Sequence, residues 1–242
     1  MTHRNPNMAQ VPNIHSPFGK ECRACWSVPE GYKLVGIDAS GLELRMLAHY
    51  MNDSNYIEEV VNGDIHSTNQ ELAGLKTRDQ AKTFIYALVY GAGDAKIGSI
   101  INGDIKKGKA LKNRFFSNLP ALKKLRDRVQ QAANRGFLKG IDGRKIHVRS
   151  QHAALNTLLQ GSGAIVMKQA MINLYELIKL NVVDAHFVAN IHDEWQLQVK
   201  ESQADYIGRL GIECIEKVTD QFKMRCDLTG QYKIGGNWSE TH

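Results

Sequence analysis

The chain has 242 residues, of which 43% are apolar and 23% charged, and its formal net charge is +6. These values are ordinary for a folded globular protein and exclude extended disorder, while the positive charge suits a polyanionic partner without requiring one. No apolar run approaches the roughly 20 residues that span a bilayer, and the first residues lack the apolar stretch of a secretory signal. We therefore predict a cytoplasmic protein.

The chain contains four cysteines: Cys22, Cys25, Cys214 and Cys226. The spacing of Cys22 and Cys25 could begin a zinc site, but no second C-x-x-C or H-x-x-x-H sequence completes it. We therefore predict ordinary cysteines in a reducing compartment.

Taken in chain order, the sequence predicts an α+β fold in which a helical block is inserted into a small sheet domain. Residues 1–30, rich in Asn, Pro and Ser, predict an irregular lead-in. The predicted elements then follow: a strand at 32–38, a helix at 39–51, a mostly helical stretch at 53–139, a hairpin at 140–149, a long helix at 152–180, a hairpin over HFVANIHDEWQLQV, a helix at 202–222 and a short tail.

Acidic residues stand at the ends of the predicted strands. Asp38 closes the first strand, and Asp193, with Glu194 beside it, lies at the tip of the later hairpin. Two aspartates brought together there would repel each other, and a bound divalent cation is the usual resolution. Such a pair can hold two Mg²⁺ ions about 3.5–4 Å apart. Taken singly, each aspartate is better explained as a turn or cap residue.

A basic and aromatic stripe marks one predicted helix. Arg78, Lys82, Tyr86 and Tyr90 recur at four-residue steps, and each step turns only about 40° around a helix. An arginine and a lysine one turn apart suit a polyphosphate, and an aromatic ring one turn further suits a sugar or a base. The alternative is a solvated face with extended side chains, but the apolar remainder of the helix favours a cleft.

A second polar stripe comprises His152, Asn156 and Gln160 on the long apolar helix. Neutral amides suit the DNA minor groove, whose acceptors differ little between base pairs. Buried structural hydrogen bonding explains the stripe equally well.

Three segments together resemble the family A (Pol I-like) DNA polymerases, most closely the replicative polymerases of podovirus-type phages. IDASGLELRMLAH (37–49) is similar to motif A, RDQAKTFIYALVYGAG (78–93) to motif B, and IHDEWQLQV (191–199) to motif C. NGDIHSTNQ, DGRKIHVRSQHAALNTLLQ and the terminal GGNW segment agree as well. Because the motifs stand in family order along the chain, the resemblance favours a functional explanation at each of them.

The resemblance implies a Mg²⁺-dependent, template-directed DNA polymerase that acts in phage DNA replication, in the cytoplasm of the host. Asp38 and Asp193 would hold the two Mg²⁺ ions, with the backbone carbonyl of Ala39 as a further ligand, and Glu194 would be an auxiliary catalytic acid. The reaction would be in-line attack of the primer 3′-oxygen on the α-phosphate of a dNTP.

The resemblance also implies a nucleotide site on the motif B helix. His66, Arg78 and Lys82 would contact the triphosphate, and Lys82 would protonate the departing pyrophosphate. Tyr86 would pack on the sugar of the incoming nucleotide, and Tyr90 would stack near the templating base.

The remaining implied roles concern sugar choice and DNA. Glu43 matches the steric gate that excludes a ribose 2′-hydroxyl. His152, Asn156 and Gln160 would follow the minor groove of the primer-template DNA, and His192 would lie near the primer terminus.

By the same resemblance, 1–51 would be the first part of the palm, 52–139 the fingers and 140–242 the second part of the palm. The family normally carries a thumb and an exonuclease or related domain before the palm, and neither fits ahead of Asp38. The arginine of the Thr-Gly-Arg triplet that would precede Thr2-His3-Arg4 is missing. A separate chain is expected to carry the thumb and exonuclease domains, although an interrupted gene or a fragmentary sequence would account for their absence as well.

Two further hypotheses compete with a polymerase. A two-metal nuclease would keep the paired aspartates but has no use for Glu43 or for the stripe on the motif B helix. A non-catalytic DNA-binding remnant would use basic surface alone and would not need the chemical residues of all three motifs.

Overall fold

The computed structural model describes residues 7–241, so the prediction about Thr2-His3-Arg4 lies outside the described residues. Helices and antiparallel sheets together confirm the α+β class. The strands are β1 (Tyr32–Ala39), β2 (Phe137–Lys139), β3 (Lys145–His147), β4 (Ala185–Ile191), β5 (Glu194–Lys200) and β6 (Gly230–Gly235). The helices are α1 (Gly19–Ala24), α2 (Leu42–Met51), α3 (Ser54–Val61), α4 (Ile65–Ala73), α5 (Arg78–Val89), α6 (Asp94–Ile100), α7 (Ile105–Asn118), α8 (Pro120–Ala133), α9 (Ala154–Leu180) and α10 (Ala204–Gln221).

Backbone contacts divide the chain into two compact units. The sheet unit contains the residues up to Leu42 and those from Gly163 onward, and the helical unit is Glu43–Ser162. The boundaries predicted from the motifs lie at 51/52 and 139/140 instead, because motifs mark chemistry and not the limits of a packed core. The assignment of palm and fingers to particular residues stays a prediction.

The sheet unit is built on four antiparallel strands in the order β4-β5-β1-β6. Side chains alternate between the two faces of a strand, and directly paired residues share a face. Val35 and Ile37 of β1 pair with Leu197 and Trp195 of β5, and all four are fully buried. Helix α10 covers this apolar face, where Gly211 leaves the space that the Ile37 side chain occupies. This face forms the core of the unit.

The opposite face of the same sheet is polar. Asp38 of β1 pairs with Glu194 of β5 on one side and with Gln231 of β6 on the other. Two residues earlier along β1, the same face carries Gln196 and Lys233 on the flanking strands. One sheet therefore has an apolar face that forms the core and an opposite face that carries polar and charged side chains, some of them buried.

The helical unit has an apolar centre formed by α4, α5, α6 and α7. Phe84 of α5 meets Phe115 of α7 edge to face, with ring centroids 5.1 Å apart, and both rings are fully buried. Polar side chains cap the helix starts: Thr77 accepts a hydrogen bond from a backbone N–H at the start of α5, and Asp64 does so at α4. These caps satisfy donors that the helices cannot satisfy internally.

The hairpin over β4 and β5 and the long helix are confirmed. The hairpin predicted at 140–149 is shifted, because β2 lies before that range and only β3 falls inside it. The two ends of the chain also differ from prediction. The stretch expected to be irregular contains a 3₁₀ turn at Met8–Gln10 and helix α1, and the expected tail contains strand β6. Arg23 of α1 donates to the Pro12 carbonyl oxygen at 2.9 Å, and its guanidinium lies 4.3 Å from the centroid of the Trp238 ring. Such distant contacts, which local sequence does not reveal, hold these short elements in place.

Within residues 7–241, no helix combines the length and the apolarity needed to cross a membrane.

Candidate active site

The two predicted metal-binding aspartates lie at adjoining strand ends in the sheet unit. Asp38 is the next-to-last residue of β1, and Asp193 lies in the turn just before β5. The backbone N–H of Ala39 donates to the carbonyl oxygen of Asp193 at 3.1 Å, and Gln231 Nε2 lies 3.4 Å from Asp38 Oδ2. Since β1 and β5 are neighbours, the fold places both acidic residues at one end of the sheet.

The turn that carries Asp193 is tight. His192, immediately before it, has a φ of 55°, a left-handed conformation that costs most non-glycine residues energy and that His, Asn and Asp tolerate best. This conformation reverses the chain between β4 and β5 within two residues. The side chain of His192 is exposed beside the aspartates.

Glu194, the second acid of motif C, is buried and held by a polar network. Its Oε1 accepts hydrogen bonds from Trp238 Nε1 at 2.9 Å and from Gln196 Nε2. Gln196 in turn accepts from the hydroxyl of Thr241 at 2.9 Å, and the four side chains are nearly inaccessible to solvent. The network ties the end of the chain to strand β5. It also occupies one oxygen of Glu194, which suits an auxiliary role better than that of a main metal ligand.

Trp238→Phe should destabilise the protein, because it removes a donor from a buried carboxylate while it preserves most of the apolar packing. A hydrogen bond to a charged group contributes about 1.5–3 kcal/mol, and the Gln196 donor remains in the variant. Urea unfolding of the whole chain measures this loss. Trp26→Phe is the matched control, since the Trp26 side chain is about half exposed at 49%. Equal stabilities of the two variants would show that the hydrogen bond to Glu194 contributes little.

A shallow pocket of about 170 Å³ lies on the polar face of the sheet. Asp38, Glu194, Gln231 and Lys233 are among its lining residues. It therefore offers both carboxylate and cationic groups on one surface, next to the strand ends that carry the aspartates.

The basic and aromatic stripe lies in the helical unit, on α5. Arg78 and Lys82 are exposed and Tyr86 is partly buried, whereas Phe84 and Ile85 between them are fully buried. The predicted separation of a polar and an apolar face is therefore present. The tyrosine that ends the stripe is the C-cap of α5 and not a helical residue.

Two features of the structure favour glycine at position 91, directly after the C-cap of α5. Its φ is 78°, which favours glycine, and a Cβ there would lie 2.7 Å from the backbone oxygen of His152. The chain can therefore turn tightly after α5 and pass close to the segment that leads into α9.

Arg78 forms a bidentate ion pair with Asp64, a residue for which the sequence predicts no chemical role. Arg78 Nε lies 2.8 Å from Asp64 Oδ2, and Nη2 lies 3.0 Å from Oδ1. The hydrogen bonds from Arg78, and those from the Ser67 hydroxyl, hold the pKa of the Asp64 carboxyl well below its usual range. The only sequence signal is its position before a helix, which is typical of an N-cap.

His66 lies beside the stripe. Its ring centroid is 6.3 Å from that of Tyr86, and its Nδ1 is buried with no hydrogen-bond partner among the described residues. Burial, together with the positive charges of Arg78 and Lys82, lowers the pKa of His66. A neutral imidazole is therefore favoured at neutral pH.

Glu43 and Tyr90 are brought together in the same unit, although 47 positions separate them in sequence. The Tyr90 hydroxyl donates to Glu43 Oε1 at 3.2 Å, and the Tyr90 ring stacks on Tyr86 with centroids 6.4 Å apart. Glu43 is in the first turn of α2 and partly buried. The predicted sugar gate and the predicted base-stacking residue are therefore direct neighbours.

The second polar stripe begins in a 3₁₀ turn and continues into α9. His152 and Gln160 are exposed, and Asn156 is partly buried. Asn156 Oδ1 is buried, and no residue in the described range donates to it. Internal hydrogen bonding thus does not satisfy this oxygen, and both explanations of the stripe stay predictions.

Within residues 7–241, we find no group of three or more His, Cys, Asp or Glu side chains that is arranged to hold a metal ion. None of the four cysteines forms a disulfide bond, and their ordinary role stays a prediction.

The family model for DNA polymerase family A matches residues 1–240. The chain belongs to DNA polymerase family A. Among its relatives, the DNA-directed DNA polymerases of Enterobacteria phage T3 and Escherichia phage T7 are each 41% identical, in alignments that cover 100% of this chain and 39% of the relative. DNA polymerase I of Pseudomonas aeruginosa is 26% identical over 100% of this chain and 28% of its own length. The family A chain thus spans about two fifths of the phage polymerases that it matches.

A solved structure is similar over nearly the whole family A chain. It is the POL domain of Pol1 from M. smegmatis in complex with DNA primer-template and dNTP, with a TM-score of 0.87 and 25% identity. The match covers 98% of this chain and 45% of that one. The predicted resemblance and the predicted fold class are both confirmed.

Proposed function

We propose that this family A chain catalyses template-directed DNA synthesis, transferring dNMP from a dNTP to the 3′-hydroxyl of a primer. The observation that carries the proposal is the placement of Asp38 and Asp193 at adjoining strand ends of a polar sheet face. The similarity to phage polymerases suggests phage DNA replication in the host cytoplasm. The partners would be primer-template DNA and dNTPs.

The carboxylates fit a pair of Mg²⁺ ions. Mg²⁺ usually keeps several waters and takes only one or two protein carboxylates, completing its shell with substrate phosphates. Two aspartates at adjoining strand ends suit that pattern. Asp38 and Asp193 would hold the ions with the carbonyl oxygen of Ala39. When bound, the ions would lower the pKa of the primer hydroxyl and neutralise charge on the phosphates.

The helical unit would bind the nucleotide. Arg78 and Lys82, one turn apart on α5, would bind the triphosphate together with His66, and Lys82 would protonate the departing pyrophosphate. A neutral His66 donates one hydrogen bond to a phosphate oxygen without adding to the repulsion between the two cations. The sugar would pack on Tyr86, and Tyr90 would lie near the templating base.

Sugar choice and DNA binding would depend on the remaining predicted residues. Glu43, held by Tyr90, would block a 2′-hydroxyl. Asn156, flanked by His152 and Gln160, would donate from its amide N–H to the base acceptors of the minor groove. His192, exposed beside Asp193, would lie near the primer terminus.

Primer extension by the purified chain tests this proposal. We expect incorporation of the complementary dNTP only, dependent on Mg²⁺, on a short primed template over a wide range of DNA concentrations. The control is the same reaction with a non-complementary dNTP. A folded chain that adds no nucleotide in Mg²⁺ or Mn²⁺ would refute catalysis by this chain itself. DNA binding without extension would instead favour the non-catalytic alternative.

A further inference from the structure

The ion pair between Arg78 and Asp64 occupies one edge of the guanidinium that could bind a phosphate through two hydrogen bonds. Both Nε and Nη2 donate to the carboxylate, one to each oxygen. A guanidinium binds a carboxylate and a phosphate with the same bidentate geometry. A phosphate group therefore cannot take this edge of Arg78 while Asp64 occupies it.

Asp64 is fixed independently of Arg78. As the N-cap of α4, it accepts from the backbone N–H of His66 at 3.2 Å and from the Ser67 hydroxyl at 2.7 Å. If Arg78 moves away, these two hydrogen bonds remain. The Asp64 carboxylate therefore still has hydrogen-bond donors after the arginine is released. The side chains of Arg78 and Asp64 are also 51% and 45% exposed, which keeps the pair weak enough to exchange.

We propose that Asp64 is a positioning residue of the phosphate subsite, whose carboxylate holds the guanidinium edge of Arg78 until phosphate oxygens exchange for it. The inference rests on the proposed function, in which Arg78 and Lys82 bind the triphosphate. A polyphosphate that displaces Asp64 can bind both Arg78 and Lys82, whereas a small anion of low charge gains little binding energy from the exchange. Asp64 thus sets the threshold that a ligand must exceed to occupy Arg78.

Binding of inorganic tripolyphosphate to the whole chain tests the exchange without DNA or catalysis. Calorimetric titrations at low salt would compare the native chain with Asp64→Asn, Arg78→Ala and the double variant. Asparagine is as good an N-cap as aspartate but carries no charge, so α4 keeps its cap. We expect Asp64→Asn to tighten binding about two- to fivefold, the upper part of the range for loss of one exposed ion pair. This gain should vanish in the Arg78→Ala background.

Two controls separate the exchange from other effects. Asp53→Asn removes the same charge from the N-cap of α3, where Asp53 accepts from the backbone N–H of Tyr56; it should leave the affinity unchanged. Asp64→Ser also keeps a capping oxygen, and it should reproduce the gain of Asp64→Asn. Thermal melting of each variant verifies that the chain is folded.

Equal tightening with and without Arg78 would overturn the proposal, because it would show a long-range effect of charge. Weaker binding in Asp64→Asn would overturn it too, because Asp64 would then assist the phosphate instead of competing with it. If Asp64→Asn tightens binding only when Arg78 is present but the chain extends no primer, this inference stands and the proposed function is refuted. If the chain extends primers but the gain does not depend on Arg78, the proposed function stands and this inference is refuted.

Discussion

Asp38→Asn and Asp193→Asn should each reduce single-turnover nucleotide addition by about a thousandfold or more, while the chain stays folded. Asparagine preserves the shape of each side chain but removes the negative charge that would bind a divalent cation. Both residues lie at the same end of the sheet, so in the proposed function the two carboxylates would hold the ions jointly and loss of either one would weaken that binding. Rapid-quench measurement at saturating DNA and dNTP isolates the chemical step from binding.

The stability of the same variants distinguishes a catalytic role from a structural one. Without a cation, two carboxylates at adjoining strand ends repel, so loss of one charge should leave the melting temperature unchanged or raise it. A turn or cap role predicts the opposite, a lower melting temperature. Asp220→Asn, at an exposed position on α10 in the same unit, is the matched control and should retain full activity. Residual activity within tenfold of the native chain in either aspartate variant would contradict the assignment.

Much of the sheet unit could be predicted from the sequence because its signals are local. A short apolar run predicts β1, and alternating residues predict the β4–β5 hairpin. The positions of the two aspartates follow from where those strands end. The α5 stripe is equally local, since a four-residue repeat keeps its polar side chains on one face. Both signals need no knowledge of distant partners, and both are present in the structure.

Contacts between distant segments could not be predicted in the same way. Asp64 precedes α4 like any capping residue, and nothing in its neighbourhood indicates that Arg78, 14 positions later, returns to it. Trp238 lies 44 positions from the carboxylate to which it donates. Strand β6 is short and exposed, and its pairing with β1 is what defines it. These features depend on the completed fold, so the periodicity and spacing of residues in the sequence do not predict them.

Glu43→Ala should weaken the preference for dNTPs over rNTPs by on the order of a hundredfold, mainly by raising the kcat/KM for rNTPs. The carboxylate, in the first turn of α2, is kept in one orientation by the Tyr90 hydroxyl 3.2 Å away. A side chain held in this way can exclude a 2′-hydroxyl by occupying its space, and a methyl group leaves that space open. The measurement is the ratio of kcat/KM for matched dNTP and rNTP on one primed template.

Two substitutions show whether shape or charge excludes the ribonucleotide. Glu43→Gln keeps the size of the side chain, so a gate that acts by shape retains most of its discrimination, whereas a gate that acts by charge loses it. Tyr90→Phe removes the hydroxyl that fixes Glu43 but keeps the ring stacked on Tyr86. It should therefore lower the discrimination by less than Glu43→Ala does, since the gate remains but moves more freely. An unchanged ratio in Glu43→Ala would mean that another side chain contacts the sugar.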